Sequence, residues 1–186
     1  MKALRIVLTL FLLAAGIAAH AQGVPPAAMT AARSVLRNIE NDFPAFIRQV
    51  HPSLGLTYYE SGKTLHAGRP FQKGMLLASY QSGRKDAQLE SAMDSEAGPY
   101  VVNVAEYLRE QAGRYDFSNS RDVRYNIERL NNSTERVRKA ATGESLVSFH
   151  VNESDNELGW NCLVLRLRQQ GPNWYVSGID YLYWTP

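Results

Sequence analysis

The stretch Trp160–Trp184, WNCLVLRLRQQGPNWYVSGIDYLYW, decides the fold. Leu163, Leu165 and Leu167 alternate with Cys162, Val164, Arg166 and Arg168. Side chains of a strand alternate between its two faces, so this is one strand with a leucine face turned to the core. Gln170-Gly171-Pro172-Asn173 reads as a tight turn. Trp174–Trp184 then reads as a second strand, rich in aromatic and β-branched residues. The pair is an antiparallel hairpin.

Upstream the same period continues. Val147, Phe149 and Val151 alternate with Leu146, Ser148 and His150. Val123, Tyr125 and Ile127 alternate with polar residues. Polar turns at 131–135 and 152–157 separate these runs. Four strands joined by short turns predict an antiparallel meander over the last third of the chain.

Before residue 115 the period is helical. Val35, Leu36, Ile39 and Phe43 form one apolar stripe, with Thr30 as the expected cap. Asp42 followed by Pro44 restarts a helix, and His51-Pro52 ends it. Asn103 with Glu106 three residues on reads as a capping box, and Gly113 suits the helix stop. An early extended segment spans 54–59. Residues 71–80 are ambiguous between helix and loop. Residues 82–99 are polar and read as a long surface loop.

The N-terminus carries a different signal. Lys2 and Arg5 precede an apolar run of about 14 residues, Ile6–Ala19, and Ala19-His20-Ala21 has the small-x-small cleavage form. The run is short of the roughly 20 residues a spanning helix needs. Residues 1–21 are therefore expected to be a cleaved signal peptide of bacterial type. Residues 22–29 are expected to be a flexible leader and 30–186 a single α+β domain. The expected compartment is the periplasm or the outside, with no stable membrane anchor left after cleavage. The chain has 20 basic and 18 acidic residues, and two of the basic ones leave with the signal. The remainder is formally neutral, which speaks against a nucleic-acid partner. Cys162 is the only cysteine, so the fold must stand without an internal disulfide. Its apolar strand context predicts a buried small side chain.

Two consecutive helices, an early strand, a third helix and a run of antiparallel strands resemble the nuclear-transport-factor-2-like superfamily. That resemblance implies N-terminal helices packed on a curved antiparallel C-terminal sheet, a cone with a pocket at its wide end. A second resemblance is local. Val50-His51-Pro52 with Gly55, Glu106-Tyr107, Tyr115-Asp116-Phe117, Trp160–Leu165 and Trp174–Ile179 leading to Trp184-Thr185 are similar to an uncharacterised family of bacterial exported proteins and lipoproteins. Family members often carry a Trp-Gly and a glycine-rich acidic turn before the third helix. Asp94–Pro99 keeps only part of it. No catalytic residue is known for that family, so none transfers.

The candidate chemistry is sparse. His51, His66 and His150 show no metal-ligand spacing, so no metal and no cofactor is expected. No nucleophile elbow, phosphate loop or dinucleotide fingerprint occurs. His51 is expected to offer its imidazolium to the end of a helix. Asp180 interrupts an aromatic strand, where desolvation would raise its proton affinity and suit it to act as a base. Arg121–Arg138 mixes charges and reads as a solvated face. The pocket candidates are Tyr107, Tyr115, Asp116, His150, Asp180 and Trp184, the last within a C-terminal concentration of aromatics. Three functions stay open. The first is a non-enzymatic module binding a small molecule or a partner. The second is a pocket enzyme whose acid and base share one cavity. The third is an envelope-interaction or inhibitor-type protein working through its surface.

Overall fold

The computed structural model describes residues 25–61, 63–66, 69–91, 100–127, 137–152 and 159–184. The signal-peptide reading, the turn at 131–135 and residues 92–99 of the expected loop lie outside them. No helix among the described residues is long and apolar enough to cross a membrane.

The fold is α+β, with four α-helices and one eight-stranded mixed sheet, which does not close, among the described residues. Helix α1 is Pro26–Asn41 and α2 is Phe43–Gln49; strands β1 and β2 are Thr57–Glu60 and Lys63–His66. Helix α3 is Lys73–Ser82, followed by β3 (Ala87–Ser91), β4 (Tyr100–Val102) and helix α4 (Val104–Gly113). A short 3-10 turn at Phe117–Asn119 leads to β5 (Asp122–Tyr125), β6 (Glu144–Asn152), β7 (Trp160–Gln170) and β8 (Asn173–Trp184). The sheet order is β4-β3-β2-β1-β8-β7-β6-β5.

The C-terminal meander forms as the alternation predicts. Its hairpin closes at Gln170↔Asn173 around Gly171, whose φ of 60° is a conformation glycine adopts without a Cβ penalty. Two expectations need correction. The sheet is not antiparallel throughout, because β1 pairs with β8 in parallel, Thr57 to Gly178 through Glu60 to Tyr181. The polar 82–99 stretch is not all loop, since β3 lies within it and pairs with β2 and β4.

Helix α1 begins at Pro26, so Thr30 is not its cap. Its Oγ1 instead donates to the Pro26 carbonyl at 2.9 Å. Ala28 is fully buried, so residues 26–29 are part of the folded helix and not of a leader. Ala28, Ala32, Val35, Leu36 and Ile39 make its buried stripe. The Asp42 carboxylate caps α2 by accepting from Ala45 N at 2.9 Å. Asn103 caps α4 by accepting from Glu106 N at 2.8 Å. Its amide nitrogen donates to the carbonyls of Ser79 and Arg84 at 3.0 and 2.7 Å, fastening α3 to α4.

The helices cover one face of the sheet. Phe149, Leu163, Leu165, Leu167, Val176, Ile179 and Tyr181 meet Val35, Leu36, Ile39, Phe46 and Leu108 there. Each fully buried leucine or phenylalanine contributes about 2 kcal/mol of transfer free energy.

The opposite face is also covered. A strap at 137–141 lies over Leu146, Cys162, Val164 and Leu182, and Val137 is buried among them. Ion pairs fasten this strap. Arg166 donates from Nε and Nη2 to Asp180 at 3.0 and 2.8 Å, and from Nη1 to Glu144 at 2.8 Å. Arg138 reaches Asp180 from the strap, and Arg166 donates to the Arg138 carbonyl at 2.6 Å. Arg138 stays exposed, as the reading of the 121–138 stretch expects, while its guanidinium reaches in to the buried Asp180.

Candidate functional site

Strand β1 reads Thr57-Tyr58-Tyr59-Glu60, and its period-2 alternation puts Tyr58 and Glu60 on the helix-covered face. Glu60 is 3% exposed. Its Oε2 accepts from the Tyr58 hydroxyl at 3.2 Å and from the Tyr107 hydroxyl. Tyr107 comes from α4, so this carboxylate joins helix to sheet. Its Oε1 lies 3.5 Å from Lys63 Nζ.

Further aromatic groups surround that carboxylate. Tyr58 and Tyr107 meet edge to face, with centroids 5.7 Å apart. Glu60 lies opposite Tyr181 in the parallel pairing, and the Tyr181 and Tyr183 rings are 5.4 Å apart. The Tyr181 hydroxyl donates to Asn161 Oδ1 at 2.8 Å. Tyr115 packs edge-on against Phe117, which in turn packs on Tyr181. Tyr107, Tyr115 and Tyr183 are half-buried, and the Lys63 side chain is 37% exposed. These four are the more exposed members of the cluster, while Tyr58 and Glu60 are buried.

The electrostatics agree with the geometry. Burial first, then the Glu60 charge, push the Tyr58 phenol well above its ordinary range. Burial and the hydrogen bond to Glu60 do the same to Tyr107. Burial and neighbouring Tyr115 raise Tyr181, against a lowering by Arg114. The phenols thus act as neutral hydrogen-bond donors.

The structure brings two of the six sequence candidates, Tyr107 and Tyr115, to this cluster. Asp116 is exposed and accepts from Asn119 Nδ2 at 3.1 Å, holding the 3-10 turn. Asp180 lies on the opposite face and is fully buried between Arg138 and Arg166. It is an ion-pair anchor, which corrects its reading as a desolvated base. His150 is on that same opposite face, neither solvent-facing nor pocket-facing. Its Nε2 lies 3.1 Å from Ser148 Oγ and 3.7 Å from Cys162 Sγ. Burial, then the charge of Arg124, lower its pKa to about 4. Trp184 ends β8 opposite Trp160, and its side chain lies outside what is described. His51 corrects another expectation. Its Nδ1 accepts from Ser53 N and Leu54 N at 3.3 and 3.2 Å, and burial with nearby Arg168 and Lys73 lowers its pKa. It is a neutral acceptor in a turn and brings no charge to a helix end.

His150, Asp180, Tyr107 and Asp116 therefore do not share a cavity, and this set provides no acid–base pair. Glu60, Tyr58, Tyr181 and Asn161 were missed by sequence reasoning. The early extended segment expected from the sequence ends at Tyr59, one residue before Glu60. The alternation Tyr58–Glu60 was the signal that could have found it. Elsewhere, an open groove of about 460 Å³ lies between α1, α2 and the start of β8, lined by Asn38, Arg48, Gln49, Trp174 and Tyr175 among others. It holds none of the six candidates. No group of metal-binding side chains occurs among the described residues.

No family model and no curated protein matches the chain. The solved structure of AusH from Aspergillus nidulans is similar over 88% of each chain, with 11% identity and a TM-score of 0.30. A likeness of that size carries no argument about this chain.

Proposed function

We propose that the chain is an exported, non-enzymatic module that holds a small ligand at the Glu60–tyrosine mouth of a nuclear-transport-factor-2-like cone. The carrying observation is a buried carboxylate on the sheet, bonded by Tyr107 of a helix and clustered with half-buried tyrosines. Aromatic rings with a few convergent polar groups are the usual lining of a small-ligand site. Helices on one face of a mixed sheet, in the order found, support the cone reading. Export rests on the first 21 residues, and membership of the exported-protein family on the short motifs quoted above.

The test is a small-molecule screen by thermal shift on the chain starting at Gln22. A ligand of this mouth raises the melting temperature of the parent protein, and the rise shrinks in Tyr107→Phe. Ligands indifferent to that substitution would refute the site. N-terminal sequencing of the exported protein is expected to begin at Gln22.

A second reading is an envelope contact through the sheet edge. Its support is edge strand β4, where Tyr100 and Val101 are 58% and 48% exposed. Exposed strand edges invite pairing with another chain.

A further inference from the structure

We propose that the ligand of the mouth is an organic cation, a primary or quaternary amine, which replaces Lys63 on Glu60. This rests on the reading of the mouth as a binding site and adds the chemical class of its occupant.

A carboxylate as buried as Glu60 needs a cation, because taking it from water costs several kcal/mol that only close pairing returns. The chain supplies a poor one. Lys63 Nζ stands 3.5 Å from Oε1, whereas a good charge-assisted bond is about 2.8 Å. The lysine side chain is more than a third exposed, so its ammonium leaves for water at little cost. The two phenols that touch Glu60 are neutral hydrogen-bond donors, and they leave its charge in place. Arg114 is engaged with Tyr181. The negative charge of Glu60 is thus only loosely countered.

The tyrosines fit the same class. Tyr107, whose hydroxyl donates to Glu60, is half-buried, as is Tyr183 on the Tyr181 ring, and ring faces attract cations. An ammonium seated on Glu60 would meet a carboxylate and aromatic surface together, as methylated amines do in aromatic cages. An anionic ligand would meet a buried like charge that Lys63, 3.5 Å away and more than a third exposed, offsets only in part. The amide nitrogen of Asn161 is buried and has no hydrogen-bond partner among the described residues. Its Oδ1 takes the Tyr181 hydroxyl. That amide is tied to the cluster through the Tyr181 ring, which packs on Tyr183.

The experiment titrates the chain from Gln22 with choline, n-butylammonium, sodium butyrate and p-cresol, reading tyrosine ring resonances by NMR. Saturable shifts at Tyr107 and Tyr183 are expected with both cations and none with butyrate. Glu60→Gln should weaken choline binding at least tenfold. Lys63→Ala is an exposed change that removes the internal competitor, so it should tighten binding several-fold. Absence of saturable shifts with either cation overturns the inference. If p-cresol alone then shifts the same rings, the mouth stands as a site and only the class is wrong. If no probe shifts them, the reading of the mouth falls as well. Should Glu60→Gln fail to fold, the Lys63→Ala comparison decides: unchanged or weaker choline binding in that variant overturns displacement.

Discussion

Arg166 and Asp180 face each other across β7 and β8, two guanidinium nitrogens at 3.0 and 2.8 Å from one fully buried carboxylate oxygen. They stand on the face that strand alternation alone would assign to water. The strap at 137–141 makes that face a second interior, and the pair joins strap to sheet.

Removing one partner of a buried pair strands the other charge. Asp180→Asn is expected to cost about 3 kcal/mol, measured by urea unfolding. Arg138→Met removes the partner whose side chain is 43% exposed, and should cost about 1 kcal/mol or less. Equal losses from the two would contradict the reading of the exposed Arg138 as the weaker partner of Asp180.

His150 has a pKa near 4 in the fold, against about 6.5 when unfolded. The unfolded chain therefore takes up this proton first as pH falls. Stability due to neutral His150 is complete above about pH 6.5 and is lost on descent towards pH 4, by about 3 kcal/mol. His150→Gln removes this dependence. The difference between parent and variant in unfolding free energy should change by that amount between pH 7 and 4. A constant difference would show that His150 is solvated.

At the alkaline end the sign reverses. Tyr58, Tyr107 and Tyr181 hold their protons above the ordinary tyrosine pKa of about 10, while the unfolded chain releases them there. Stability should decline from about pH 10 upward. Ultraviolet titration is expected to show that these three, of ten tyrosines, ionise only as the protein unfolds. Reversible ionisation of all ten in the folded state would contradict it.

Gly55 has φ of 70°, and a Cβ there would stand 2.7 Å from the Phe71 carbonyl oxygen. Gly55→Ala should cost about 2 kcal/mol or more by thermal unfolding. Gly74 lies in α3, and a Cβ there meets nothing within 4 Å. Gly74→Ala should stabilise by about 0.5 kcal/mol. The contrast separates backbone strain from a general response to added methyl groups.

The meander was legible because alternation and the Gly171-Pro172 turn are local signals. The caps Asp42 and Asn103 were legible for the same reason. The β1–β8 pairing was not, because two strands about 120 residues apart leave no shared local pattern. Strands β2 to β4 are three to five residues long, too short for a period to declare itself. The burial of the second face was not legible, because Arg166 carries charge there, and charge in a strand usually means water. Only the strap, a tertiary feature, reverses that. At the candidate site Tyr107 was legible on its helix. Glu60 was not, since its role depends on a tyrosine 47 positions later.

The last strand made is the middle of the sheet. β8 lies between β1 and β7, so β1 to β4 have no route to the C-terminal half until residues 173–184 exist. A ribosome delivers the chain from the other end. The first four strands must therefore wait through synthesis with an open seam, and their join to the rest is long-range and slow to form. Losing most of β8 would leave two half-sheets joined through the helices alone, with no strand paired to both.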